Sequence, residues 1–188
     1  MNHQPTARRP LIDPVPPQGD EARVATLLGM IEQELGFVPD GLRLYGISPP
    51  LLEAFLGTVG YFRSGAGGLS PELATVIRYL VSSKSMCSFC IDFNETMLVS
   101  MGHDLDVLRA ARSDPDKAPV KDAERPLIQL ALKAVSGPET VTASDIDVAR
   151  GHGWSDRVLF DTVAVAASNW AFTTMLRTFK VEHQGALA

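Results

Sequence analysis

The sequence predicts an all-α protein. Apolar residues recur at spacings of three and four through most of the chain beyond residue 20. Serine, proline and glycine sit where helices should start and stop. No stretch alternates apolar and polar residues as a half-buried strand would. At 188 residues the chain suits a single helical domain, expected over 20–188, preceded by an arm over 1–19. That arm carries Pro5, Pro10, Pro14, Pro16 and Pro17, which forbid a helix and favour an extended path.

The helices follow in order. In DEARVATLLGMIEQELG, residues Val24, Leu27, Leu28, Ile31 and Leu35 form one stripe, and Gly36 is the stop. A short helix is expected at 40–46, and another from Pro49-Pro50 through LLEAFLGTVGYF. The glycine-rich SGAGG at 64–68 reads as a flexible loop. Ser70-Pro71-Glu72 is a helix start, because serine caps free amides and proline at the first position loses no needed N–H. That helix should run to about Met86, with Leu73, Val76, Ile77, Leu80 and Val81 inward. The next begins around Cys87 and ends at Gly102. Residues 104–112 are helical in pattern, and 114–119 form a loop. Helical pattern returns from Asp122 to Val135, with Leu127, Leu130, Ala131 and Ala134 as its stripe, until Gly137-Pro138 stops it. Thr142 with Asp145 is a capping pair for a helix ending near Gly153. Ser155-Asp156 opens the last, over about 155–180.

Composition removes several functional classes. Seventeen Lys and Arg against 22 Asp and Glu leave a net charge of −5, the wrong balance for a nucleic-acid footprint. No run of about 18 apolar residues occurs, so no membrane span is expected, and the N-terminal segment lacks the apolar core of a signal peptide. A cytoplasmic location follows as the expectation. Both cysteines fall in one C-x-x-C, which excludes a disulfide framework and a four-cysteine zinc site from one chain.

The chemistry-bearing segment is SMCSFCIDFNE, residues 85–95. Cys87 and Cys90, three apart on a helix, share a face within reach of a disulfide. At a helix N-terminus, unpaired amides and the helix dipole favour a thiolate, making one cysteine a nucleophile and the other its resolver. Lys84 could add positive potential. Three readings fit the pair: a redox-active dithiol, two inert buried thiols, or half of a metal site completed by His3, His103, His152, His183 or a second subunit. No resident metal or cofactor is expected.

Together these segments resemble the alkyl hydroperoxidase D-like branch of the carboxymuconolactone decarboxylase superfamily, and its peroxidase-related proteins in particular. The likeness covers about 21–183. It rests on GFVPDGLRLYGISPPLLEAF, on LSPELATVIRYLVSSKSMCSFC running into C-x-x-C, and on the second helical half from Ala123 to Phe179. The resemblance implies an all-α helical bundle, homo-oligomers, and antioxidant thiol chemistry with Cys87 and Cys90 as catalytic residues. It implies that Cys90 attacks and Cys87 resolves. The implied partners are a peroxide or disulfide substrate and an external dithiol reductant. The Pro-rich arm and apolar Val163–Ala167 are consistent with a homo-oligomer in which the arm crosses to a neighbour.

The sequence departs from that family at two positions. The family pattern has a glutamate twelve residues before the first cysteine and a histidine four after the second, forming a proton relay. Here those positions are Thr75 and Asn94, neither of which can relay protons near neutral pH. Glu72, one turn before Thr75, is a candidate shifted carboxylate, and Asn94 shares the Cys90 face as a candidate hydrogen-bond donor. The bland reading of Asn94 is a polar residue satisfied locally. Asp92, Glu95 and the histidines read as solvated surface groups, and Trp154, Trp170, Phe172 and Phe179 as core or subunit-contact residues. The functions in view are a thiol-dependent peroxidase or disulfide reductase, a helical oligomer that lost the relay and binds a small ligand or partner, and a lactone-decarboxylase-type lyase.

Overall fold

A computed structural model describes residues 10–187. Nine α-helices and no strand are found among them, so the all-α expectation holds. They are α1 (Glu21–Leu35), α2 (Asp40–Tyr45), α3 (Pro49–Ser64), α4 (Pro71–Lys84), α5 (Ser88–Ser100), α6 (Leu105–Ser113), α7 (Arg125–Ser136), α8 (Ala143–Gly151) and α9 (Asp156–Phe179). The first part of the Pro-rich arm, with His3, lies outside the described residues; residues 10–19 contain no helix.

The residues form two compact units. One comprises 10–58 with 175–187, the other 59–174.

In the first unit, Gly36 ends α1 in the left-handed region at φ 79°, and its N–H bonds Glu32 O. The exposed Arg23 forks onto Glu53 at 2.7 and 2.6 Å. Asp40, 3% exposed, accepts the Leu187 N–H at 3.1 Å. Gln184 binds the Asp40 N–H at 3.1 Å and reaches the Val38 carbonyl at 3.4 Å.

The second unit is built around α4. Leu73, Ala74, Val76, Ile77, Leu80 and Val81 of α4 are all buried. Because apolar residues surround this helix on most sides, it packs with α5, α6 and α7 at once. Those neighbours contribute Ile91 and Leu98, Leu108 and Ala111, and Leu127, Ile128, Leu130 and Ala131. Each leucine or isoleucine among these stabilises by about 1.5–3 kcal/mol when fully buried. The caps read from sequence are formed. Ser70 Oγ accepts the Leu73 N–H at 3.1 Å. Asp145 Oδ2 accepts the Thr142 N–H at 2.7 Å and also meets Lys133 Nζ at 2.6 Å.

The loop expected at 64–68 is present, and it packs closely against its neighbours at Gly67. Tyr61 Oη donates to the buried Asp161 Oδ2 at 2.7 Å, and Arg157 reaches the same hydroxyl at 3.3 Å. The backbone of Gly67 lies so close to this pair that an added Cβ would sit 2.0 Å from Asp161 Oδ2 and 2.5 Å from Tyr61 Oη. Glycine is there because a neighbour occupies the space a side chain would need.

Candidate active site

The α4–α5 hairpin positions the cysteines. α4 ends at Lys84, and the chain reverses through Ser85 and Met86. Met86 is in the left-handed region at φ 53° and is 71% exposed. A non-glycine residue there costs about 1–2 kcal/mol, which the surrounding structure must offset. The reversal makes Cys87 the N-cap of α5 and places Cys90 in its first turn. The Cys87 N–H bonds Ser82 O at 3.2 Å, and the Cys87 carbonyl accepts the Ile91 N–H at 2.9 Å. Helix geometry leaves the amides of Ser88, Phe89 and Cys90 without an i−4 carbonyl.

The two sulfurs are 2.7 Å apart, and both cysteines are enclosed at 0% and 2% exposure. Phe89 and Phe93 stack in parallel on the same helix, with centroids 6.3 Å apart. The contact with Cys87, followed by burial, pushes the Cys90 thiol far above its ordinary range. A thiolate on Cys90 would face a second sulfur with little solvent to stabilise it. The pair therefore holds its protons jointly, and the first to leave belongs to both thiols.

The auxiliary candidates are dispersed. Thr75 is buried, and its hydroxyl donates to Pro71 O at 2.8 Å. Asn94 is buried, and its Nδ2 donates to Cys90 O at 2.7 Å. That donor is thus used on its own helix, as the local reading anticipated, and it braces the carbonyl of Cys90. Glu72 stands at the opposite end of the hairpin, where its Oε1 lies 2.9 Å from His103 Nε2. The pair is close but off the hydrogen-bonding line, since His103 Nε2 is otherwise unpartnered. The His103 side chain is only 12% exposed, which corrects its reading as a solvated surface group: Gly102 turns the chain back onto α4. A pocket of about 340 Å³ borders Glu72, Leu73, Val76, Val120, Lys121 and Glu124, and it contains neither cysteine. Lys84, Asp92, His152 and His183 are exposed.

Sequence reasoning missed two residues that hold the hairpin. Tyr79, fully enclosed in α4, donates to Glu95 Oε2 at 2.8 Å, and Arg109 reaches Glu95 Oε1 at 3.3 Å. Burial, followed by the Glu95 contact, raises the Tyr79 phenol well above its usual range. The Glu95 side chain is 13% exposed, so it is a structural group and not the solvated one expected. Asn169 of α9 donates to Arg78 O at 3.2 Å and to Ser82 Oγ at 3.0 Å. Ser82 O in turn receives the Cys87 amide, so Asn169 fixes the turn from which the dithiol starts. The only sequence signal for it was an asparagine in an apolar stretch of a long helix.

No protein-family model and no curated protein matches the sequence. Solved structures do match. An uncharacterized peroxidase-related protein from Silicibacter sp. TM1040 superposes with a TM-score of 0.82 at 19% identity, over 95% of this chain and 93% of that one. A peroxidase-related protein from Ralstonia eutropha JMP134, described as an alkylhydroperoxidase AhpD core, gives 0.80 at 21% identity, over 97% and 95%. A Cys-to-Ala variant of the debrominase Bmp8, bound to 2,3,4-tribromopyrrole, gives 0.76 at 19% identity, over 97% and 96%. The chain has the AhpD-like fold.

Proposed function

We propose that this AhpD-like chain is a thiol-dependent peroxidase or disulfide reductase working through Cys87 and Cys90. The observation that carries the reading is the 2.7 Å approach of two sulfurs, not joined in a disulfide, at the N-terminus of α5. A cysteine thiolate attacks the distal oxygen of a hydroperoxide, and the O–O bond breaks. The partner thiol gives its proton to the departing alkoxide, releasing an alcohol. The attacking sulfur is now a sulfenic acid, and the partner is now a thiolate. That thiolate attacks the sulfenic sulfur, forms the disulfide and expels hydroxide, which takes up a proton to become water. The sum is dithiol plus hydroperoxide to disulfide, alcohol and water; an external dithiol then restores the pair. The partner thiol fills the acid role that Thr75 and Asn94 cannot fill. The family resemblance makes Cys90 the attacking sulfur, and the opening that admits the peroxide must also let solvent stabilise its thiolate, which enclosure beside Cys87 disfavours. Entry of a peroxide requires a local opening at the Met86 turn, because both thiols are enclosed.

Consumption of an organic hydroperoxide with a dithiol reductant tests the reading. Wild type should turn over, and Cys87→Ser and Cys90→Ser should lose at least about a hundredfold. Equal rates in all three proteins refute it. The tribromopyrrole-bound neighbour makes a brominated pyrrole a second substrate to assay in the same series.

A second reading is favoured by the local hydrogen bonds of Thr75 and Asn94: a helical oligomer without catalysis that binds a small ligand or partner. Thr75→Glu with Asn94→His restores the family pattern. A gain in peroxidase activity over an inactive wild type would support this reading. We further propose a cytoplasmic homo-oligomer, for which light scattering showing a monomer at micromolar concentration is the opposing result.

A further inference from the structure

Arg78, midway along the central helix α4, differs from the arginines of its unit that pair with carboxylates. The exposed Arg109 and Arg150 and the half-buried Arg125 each meet a carboxylate. Arg78 pairs with no carboxylate, and its guanidinium finds no acceptor oxygen among the described residues. Its guanidinium carbon lies 5.7 Å from the ring centroid of Phe62, which is itself buried. The aromatic face covers one side of the planar group and leaves its N–H edges unanswered. The side chain is half-buried, and its nitrogens are absent from the set of fully enclosed unpartnered atoms. The cation therefore lies deep among protein atoms yet can be reached from solvent.

We propose that Arg78 anchors a binding site for a small organic carboxylate. An enclosed guanidinium loses hydration, and a protein normally returns that loss with a carboxylate or carbonyl. Here none is returned, and the nearby positive charge of Arg63 adds repulsion. Enclosure, followed by Arg63, lowers the Arg78 pKa to about 10, which still leaves it charged at neutral pH. An anion at the open edge relieves both penalties. The planar fork matches the two oxygens of a carboxylate. Phe62 is itself buried, so a ligand would meet the open N–H edge of the guanidinium and not the filled core.

The site is built into the element that carries the dithiol. The Arg78 carbonyl accepts from Asn169 and from Ser82 Oγ, and Ser82 O accepts the Cys87 amide. Carboxylate binding does not depend on the dithiol being redox-active, so the two readings succeed or fail separately.

Sodium benzoate is the probe, with benzyl alcohol as its neutral counterpart and inorganic phosphate as a second anion. In wild type, calorimetry should show saturable benzoate binding. Benzoate should slow labelling of Arg78 by p-hydroxyphenylglyoxal, mapped by mass spectrometry, at least about fivefold. Arg78→Gln should weaken benzoate binding at least about tenfold, with helicity unchanged by circular dichroism. The labelling is read on wild type, so it decides the matter if Arg78→Gln does not fold. Three results would overturn the proposal: no saturable benzoate binding, equal protection by benzyl alcohol, or protection by phosphate without protection by benzoate.

Discussion

The two ends of the α4–α5 hairpin solve different problems. At the closed end the chain reverses through an exposed, left-handed Met86 into two enclosed cysteines whose sulfurs touch. At the open end Glu72 meets His103, and the glutamate side chain is 60% exposed. Water screens the open-end pair, so its loss should cost little. Little water reaches the closed end, so each contact there sets both conformation and thiol ionisation. Side chains of similar chemical promise thus carry very different consequences, and enclosure decides which.

The largest expected effect is on thiol access. Alkylation by iodoacetamide at pH 8 should be at least about a hundredfold slower in native than in unfolded protein, because reaction waits for local opening. Equal rates would mean that the closed end is not closed. Next comes Asn169→Ala, which frees the turn before Cys87. It should cost about 1–2 kcal/mol in urea unfolding and speed alkylation several-fold. A stability loss without faster alkylation would make Asn169 a packing residue only.

A pH effect follows from the raised Cys90 thiol. The native state keeps a proton that an unfolded thiol releases near pH 8.5, at the ordinary thiol pKa of about 8.5. The stabilisation is therefore complete below that pH and declines as pH rises, by at most about 1.4 kcal/mol per pH unit. Unfolding curves between about pH 8 and 10 should show this decline, and Cys90→Ser should flatten it. The smallest effect belongs to the open end. Glu72→Gln should change stability by about 0.5 kcal/mol or less and leave alkylation of the dithiol unchanged. A large effect on alkylation would couple the two ends.

These contrasts also mark what the sequence could disclose. Helix ends were legible because their signals are local: Ser70 caps α4 three residues from its donor, and Thr142 pairs with Asp145 over the same distance. The dithiol was legible for the same reason, since Cys87 and Cys90 are one turn apart. Contacts between helices were not. Tyr79 finds Glu95 across 16 positions, and Asn169 finds Ser82 across 87. No periodicity encodes such distances. The burial of His103 was hidden similarly, because the turn at Gly102 that folds it back onto α4 does not specify where it lands.

The loop at 64–68 carries a consequence for laboratory evolution of this protein. Its composition marks it as a natural place for randomisation or insertion. Gly67 instead has Asp161 and Tyr61 where its side chain would grow, and Gly68 combines φ 92° with Val158 Cγ2 at 3.1 Å from an added Cβ. A saturation library across this loop should therefore be depleted of nearly every variant at Gly67, and diversity is better sought at positions such as Gly57 and Gly60, where an added Cβ meets open space.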